Sequence, residues 1–299
     1  MESLNEDGPR SLEHFVEISG AKSELLEQLM RIACMVGIVE NDEDLFFITR
    51  KGHAFFHSRG FFTWAAGGYG RFFGQLAELA RSGGDASTCR PLIDGSQVAV
   101  ASNLCNLTMM REHCLEALEP LEFSRIADLG CGNAGRLIDI CNRYHAVSGM
   151  GIDINAHAIE SARELVRRND MQHRIELHQT DALSVESIEG VHEVDLVMSF
   201  LMMHDLFNAR RPAEVVSGLL SAFPNARHFV VADTFQMPAA QSITSAPIFS
   251  LGFELVHGFM GIRLYRPEDY IAEFCGQGMT LAHRSSLGAP HTDLLVFER

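Results

Sequence analysis

Three carboxylates and a run of glycines mark where this chain can hold a small molecule. The run is Asp128-Leu129-Gly130-Cys131-Gly132-Asn133-Ala134-Gly135, set between an apolar stretch and a helical one. Glycines there allow a tight turn and let a ligand approach the backbone closely. The spacing G-x-G-x-x-G is also that of a dinucleotide loop. Asp128, two residues before the first glycine, would repel a pyrophosphate but favours a ligand carrying an ammonium and a sulfonium. Asp153 ends Gly149-Met150-Gly151-Ile152-Asp153, where a carboxylate can accept both hydroxyls of a ribose. Asp181, in Gln179-Thr180-Asp181-Ala182, can take a hydrogen bond from an adenine amino group. Three acids at three successive strand ends suit a nucleoside without phosphates. Capping of the following helices is the plain structural alternative.

A second group of residues can handle protons or a metal. Ser199-Phe200-Leu201-Met202-Met203-His204-Asp205-Leu206-Phe207 follows a later strand, and His257 lies 53 residues beyond His204. An imidazole beside a carboxylate can serve as a general base. Two imidazoles and a carboxylate, His204, His257 and Asp205, can form a 2-His-1-carboxylate site with open positions.

These residues need elements to hold them. From Phe123 onward, strands and helices alternate. Strands are expected at Arg125 to Leu129, Val147 to Ile152, Ile175 to His178, Val194 to Ser199 and His228 to Asp233. Helices are expected at Arg136 to Tyr144, Ala156 to Asn169 and Ala209 to Ala222. That rhythm predicts an α/β fold with a parallel, doubly wound sheet, whose ligands bind beyond the carboxyl ends of the strands. The front of the chain differs. Leu25, Leu26, Leu29, Met30, Ile32, Ala33 and Val36 follow helical spacing up to Gly37. Ile38-Val39, an acidic turn from Glu40 to Asp44, and a strand from Leu45 to Thr49 then read as a winged-helix module. Residues 83–96 are turn-rich, and a long helix is expected from about Gln97 to Leu118. The expected division is 1–95 and 96–299.

Composition narrows the partners. The 299 residues carry 39 acids against 24 Lys and Arg, a formal charge of −15. Such a chain has no general affinity for nucleic acid or an anionic membrane, and four acids within positions 40–44 argue against DNA at the wing. No apolar run reaches the ~18 residues of a membrane helix. The first thirty residues lack a signal-peptide pattern. Seven scattered cysteines read as buried, reduced thiols, and a cytoplasmic protein is expected.

The series DLGCGNAG, GIDI, TDAL and VDLVMSFLMMHDL resembles the class I S-adenosylmethionine-dependent methyltransferases over about residues 97–299. The resemblance implies a Rossmann-like, mostly parallel seven-stranded sheet preceded by a mainly helical domain. It also implies S-adenosylmethionine as cofactor, held by Asp128, Gly130, Gly132, Asn133, Asp153, Ile154, Asp181, Ala182 and Ser199. The front module is similar to that of small-molecule O-methyltransferases and α-keto-acid C-methyltransferases, which implies a homodimer. In the O-methyltransferases a base stands near the place of His204, within a His-Asp-Trp segment; here Leu206 replaces the Trp. In the C-methyltransferases, a metal such as iron or zinc, divalent or ferric, chelates the α-keto acid. Carried over, His204, His257 and Asp205 would hold that metal, and it would stabilise the enolate whose β-carbon takes the methyl group. Arg71 and Arg90 are candidates to anchor the acceptor's carboxylate. The aromatic run Phe61-Phe62-Thr63-Trp64-Ala65-Ala66-Gly67-Gly68-Tyr69 is core packing or one wall of a pocket. Three readings follow: C-methylation of an α-keto acid, metal-free O-methylation with His204 as base, and an S-adenosylmethionine-sensing regulator that binds DNA.

Overall fold

The computed structural model describes residues 1–237, 248–289 and 291–299. Ten strands are described: β1 (Arg10–Ser11), β2 (Val39–Asp42), β3 (Leu45–Ile48), β4 (Arg125–Leu129), β5 (Ser148–Asp153), β6 (Ile175–Gln179), β7 (Leu196–Phe200), β8 (His228–Thr234), β9 (Thr280–Ser286) and β10 (Thr292–Glu298). The last seven form one sheet in the order β6-β5-β4-β7-β8-β10-β9. The pairs from β6 to β8 are parallel, whereas β10 runs antiparallel to both neighbours. The central strands β4 and β7 are buried almost throughout, as strands covered on both faces must be. One face packs Leu137, Ile140, Ile159 and Leu118 over the sheet, and the other packs Leu219, Phe223, Tyr270 and Phe274. This is the Rossmann-like α/β architecture that the alternating pattern predicts.

Three local expectations are corrected. The acidic segment 40–44 is not all turn: Val39–Asp42 pairs residue by residue with Leu45–Ile48, leaving Glu43 and Asp44 to reverse the chain. Glu43 takes φ 52°, which such a tight reversal demands. The helix expected over 209–222 starts only at Pro212 and runs to Ala222, and a separate helix, Met203–Ala209, precedes it. Arg210 is extended at φ −143° and ψ 166°, and Pro212 starts a helix better than it continues one. The helix expected over 97–118 begins at Gly95 and is interrupted by one wide turn, Asn106–Met110.

The front module holds β1, β2 and β3 in a small antiparallel sheet of order β1-β3-β2, with the helices Leu12–Ser19 and Ser23–Met35. The second of these helices fully buries none of its residues, and Leu25, Leu29, Ile32 and Met35 are exposed. Near residue 95, the Asp94 carboxylate caps the helix Gly95–Cys105. That helix packs tightly onto the front helices: a Cβ on Gly60 would stand 2.5 Å from Cys105 Sγ, and one on Gly68 would stand 2.8 Å from Val98 Cγ2. All seven cysteines are free; five are buried as expected, but Cys34 is half-buried and Cys275 is exposed. Among the described residues no helix is long and apolar enough to cross a membrane.

Candidate active site

The donor side is built at the carboxyl ends of β4 to β7. Gly130 and Gly132 take φ 73° and 56°, where a side chain is strained. A Cβ on Gly130 would press on Met202, whereas one on Gly132 would meet nothing within 4 Å. The loop thus turns against protein on one side and leaves room on the other. Asp153 stiffens it: its Oδ2 accepts from the Gly132 N–H at 3.0 Å, and its Oδ1 accepts from the Asn155 N–H at 2.8 Å. Next to it Ile154 is 70% exposed, an apolar platform beside a carboxylate. Asp181 Oδ1 accepts from the Leu183 N–H at 2.9 Å, so it shapes its turn as well. Each of these carboxylates keeps lone pairs for a ligand. Ala182 and Ser199 are buried, and Ser199 Oγ has no partner among the described atoms. Asn133 Oδ1 accepts from the Gly135 N–H at 3.1 Å. Asp128 does not line the surface. It is fully buried under the loop, where burial pushes its carboxyl up to about 6 against the pull of Arg136. This open, carboxylate-edged cradle fits a cationic nucleoside such as S-adenosylmethionine.

The acceptor side is a cavity of about 340 Å³. Phe61, Trp64 and Tyr69 of the front module line it together with Phe249 and Phe253 of the helix Ile248–Phe259, Phe61 packing on Phe249 with centroids 4.2 Å apart, and His204, Asp205 and His257 also line it. Of the aromatic run, Phe61, Trp64 and Tyr69 line the cavity, and Trp64 and Tyr69 are at the same time part of a buried core cluster. Trp64 and Tyr69 pack at a tilt with centroids 4.4 Å apart, and burial together with Asp205 pushes the Tyr69 phenol up to about 12.

The two imidazoles meet in this cavity with ring centroids 5.1 Å apart, nearly perpendicular. His204 Nδ1 donates to Asp233 Oδ1 at 2.8 Å, and His257 Nδ1 donates to the Phe253 carbonyl at 2.7 Å. In its neutral form each ring thereby keeps Nε2 as the nitrogen with a lone pair. Burial disfavours the charged form of His204, but Asp233 and Asp205 outweigh it and raise its basicity. Burial and the nearby His204 push His257 down to about 4, so it is neutral. Asp205 Oδ2 stands 3.8 Å from His204 Nε2.

Asp233 is the functional residue that the sequence reading missed. Fully buried at the end of β8, it accepts from the His204 N–H at 3.0 Å and the Tyr270 hydroxyl at 2.8 Å on Oδ2. The Thr234 N–H reaches Oδ1 at 2.9 Å. The available signal was one acid closing the apolar run Phe229-Val230-Val231-Ala232. Arg71 and Arg90 are corrected: both are exposed and neither lines the cavity. Arg71 lies within electrostatic reach of Asp94, and Arg90 within that of Asp205. Their short helical segments turn these long side chains toward water, the usual place for arginine.

For a metal, the donor chemistry is divided. Two imidazoles, each with its Nδ1–H held by an oxygen, match the way imidazole ligands are oriented. Yet no group of three or more His, Cys, Asp or Glu is placed to hold an ion among the described residues, so the full 2-His-1-carboxylate set is not assembled. His204 and His257 fit as two ligands.

Comparison with known proteins agrees with this architecture. A family profile described as a methyltransferase domain matches residues 126–222. The indolepyruvate C-methyltransferase of Streptomyces griseus is 31% identical over 264 residues, spanning 86% of this chain and 74% of that protein. Methyltransferase ungE' of Aspergillus campestris is 26% identical over 266 residues, 85% of this chain and 76% of that protein. Among solved structures, human N-acetylserotonin methyltransferase in complex with S-adenosylmethionine superposes with a TM-score of 0.69 at 15% identity, covering 99% of this chain and 89% of that one. The mitomycin 7-O-methyltransferase MmcR gives a TM-score of 0.63 at 19% identity over 99% and 90% of the two chains. These two structures share the fold.

Proposed function

The chain belongs to the class I S-adenosylmethionine-dependent methyltransferases, and we propose that it methylates the β-carbon of an α-keto acid. The observation that carries this reading is the pair of neighbouring imidazoles lining one cavity, each with its Nδ1 fixed by an oxygen. A hydroxyl acceptor needs one base; a second neutral, oriented imidazole has no part in that chemistry. The name of the Streptomyces griseus relative supports the same class of acceptor.

Charge balance points the same way. An α-keto acid brings a carboxylate into a cavity whose described lining holds no Lys or Arg, and residues 238–247 contain none in sequence. An unpaired buried carboxylate is costly. A metal ion held by His204 and His257 Nε2 would supply the positive charge for the acceptor's carboxylate and keto oxygen as the β-proton leaves. The chain's own residues do the rest. Asp233 fixes the tautomer of His204, and Tyr270 and the Thr234 N–H hold Asp233. Asp205, the described acid lining the cavity, takes up the departing proton. The aromatic walls exclude water and hold the acceptor's side chain against the donor's methyl group.

A second reading, O-methylation without a metal, has one observation in its favour: His204 with Asp233 behind it and raised basicity is a competent general base. Incubation with S-adenosylmethionine and a set of α-keto acids separates the two. A product with a new methyl on the β-carbon, detected by carbon NMR, supports the first reading. Methylation of hydroxyl compounds alone would move the assignment to the second. The exposed row of Leu25, Leu29, Ile32 and Met35 supports a homodimer through the front module.

A further inference from the structure

We propose that Arg136 is a positioning residue for the methyl donor: it keeps Asp128 anionic beneath the glycine loop, and so sets the affinity of the site for a ligand carrying an ammonium group. Asp128 is wholly enclosed, and the nearest cationic atom to it is Arg136 Nη1, 3.5 Å from Oδ2. Its Oδ1 has no hydrogen-bond partner among the described atoms. A carboxylate so placed stays charged only if a fixed cation offsets the loss of water.

Arg136 is held to that task from its other face. Its guanidinium carbon lies 3.7 Å from the centroid of the Phe200 ring at the end of β7, a contact favourable to a partly desolvated cation. It starts on the first turn of the helix Gly135–Arg143, directly after the glycine loop, so loop and counter-ion are one local unit. The other groups facing Asp128 work against its charge or are neutral. Asp153 at the end of β5 repels it, and the thiols of Cys131 and Cys114 sit nearby with their own ionisation suppressed by burial. Asp139 competes for Arg136 but is itself paired with Arg111 at 2.8 Å. Burial already pushes Asp128 up to about 6 in the presence of Arg136, which pulls the other way, so loss of the guanidinium raises it further.

The test is calorimetric binding of S-adenosylhomocysteine, which keeps the ammonium group, to the whole protein from about pH 5 to about pH 8.5. Wild-type affinity falls as pH drops through about 6. In Arg136→Met the fall begins at higher pH, so the midpoint of the binding profile moves up. Arg136→Lys retains the wild-type profile, and Asp128→Asn binds weakly with no pH dependence in this range. Arg136→Met with an unmoved midpoint, or with equal loss at every pH, would overturn the proposal. If Arg136→Met does not fold, Asp128→Asn decides: a wild-type pH dependence in that variant contradicts it equally.

Discussion

On the donor side each residue lies at, or within a few positions of, the carboxyl end of a strand. The acceptor cavity instead gathers side chains from residues 61–69, 93–110, 201–205, 234, 249–262 and 289–292. The first is a property of backbone turns, the second of how distant segments meet. Backbone turns carry their own sequence signature in glycine and Asp, because φ above zero and open carboxylates are local demands. A cavity wall carries none: Trp64 and Phe253 are as good core residues as pocket residues until the helices are placed. The two halves should therefore respond differently to substitution, one through affinity for the donor and the other through turnover.

The largest effects are expected in the cavity. His204→Ala and His257→Ala should each reduce kcat/KM by about 10³-fold or more, since either change removes an oriented imidazole from the reacting centre. Both variants should still bind S-adenosylhomocysteine with near-normal affinity by calorimetry. Full activity in His257→Ala would break the contrast and leave only the base reading of His204.

On the donor side, Asp153→Ala should weaken binding of S-adenosylmethionine by about 1.5–3 kcal/mol, roughly 10- to 100-fold, as loss of a charged acceptor does. That carboxylate also holds the Gly132 N–H, so part of the loss comes from a looser loop. Unchanged affinity in the folded variant would remove Asp153 from the site.

A change of similar size is expected from Asp233→Asn, about 10- to 100-fold in kcat/KM. The sign of its pH effect follows from the buried pair. His204 is needed with Nε2 unprotonated, and Asp233 raises its basicity. Activity should fall as pH drops through a value above that of an ordinary histidine. With Asn in place of Asp233, burial dominates, and the acid limb should shift to lower pH. A limb that stays in place would show that another group titrates there.

The smallest effect on chemistry is expected from Leu29→Lys with Ile32→Lys on the exposed helix of the front module. The pair should convert a dimer to a monomer, read by light scattering, while leaving methyl-donor affinity nearly unchanged. A wild-type protein that is monomeric at micromolar concentration would contradict the dimer proposal.

The sequence was readable where chemistry is local. The loop from Gly130, the acids at 153 and 181, and the parallel order of the sheet all follow from nearby residues. His204 and His257 were named from type and position, and the fold brings their rings together. Asp233 was not legible as a partner of His204, because only β8 lying beside β7 places it there. Arg71 and Arg90 illustrate the opposite error: a cation suited to a carboxylate was sought, but the front helices point both to solvent. The break before Pro212 was visible in the residue itself, and the two-residue turn at Glu43-Asp44 was masked by the run of acids around it.

The most direct measurement is hydrogen exchange at the β-carbon of a bound α-keto acid in deuterated water, followed by proton NMR without S-adenosylmethionine. Exchange should be catalysed by the protein, lost after exhaustive chelation, restored by added iron or zinc, and absent in His257→Ala. Undiminished exchange and methylation after chelation would contradict a metal on His204 and His257. No exchange at all, with efficient methylation of a hydroxyl, would contradict C-methylation itself.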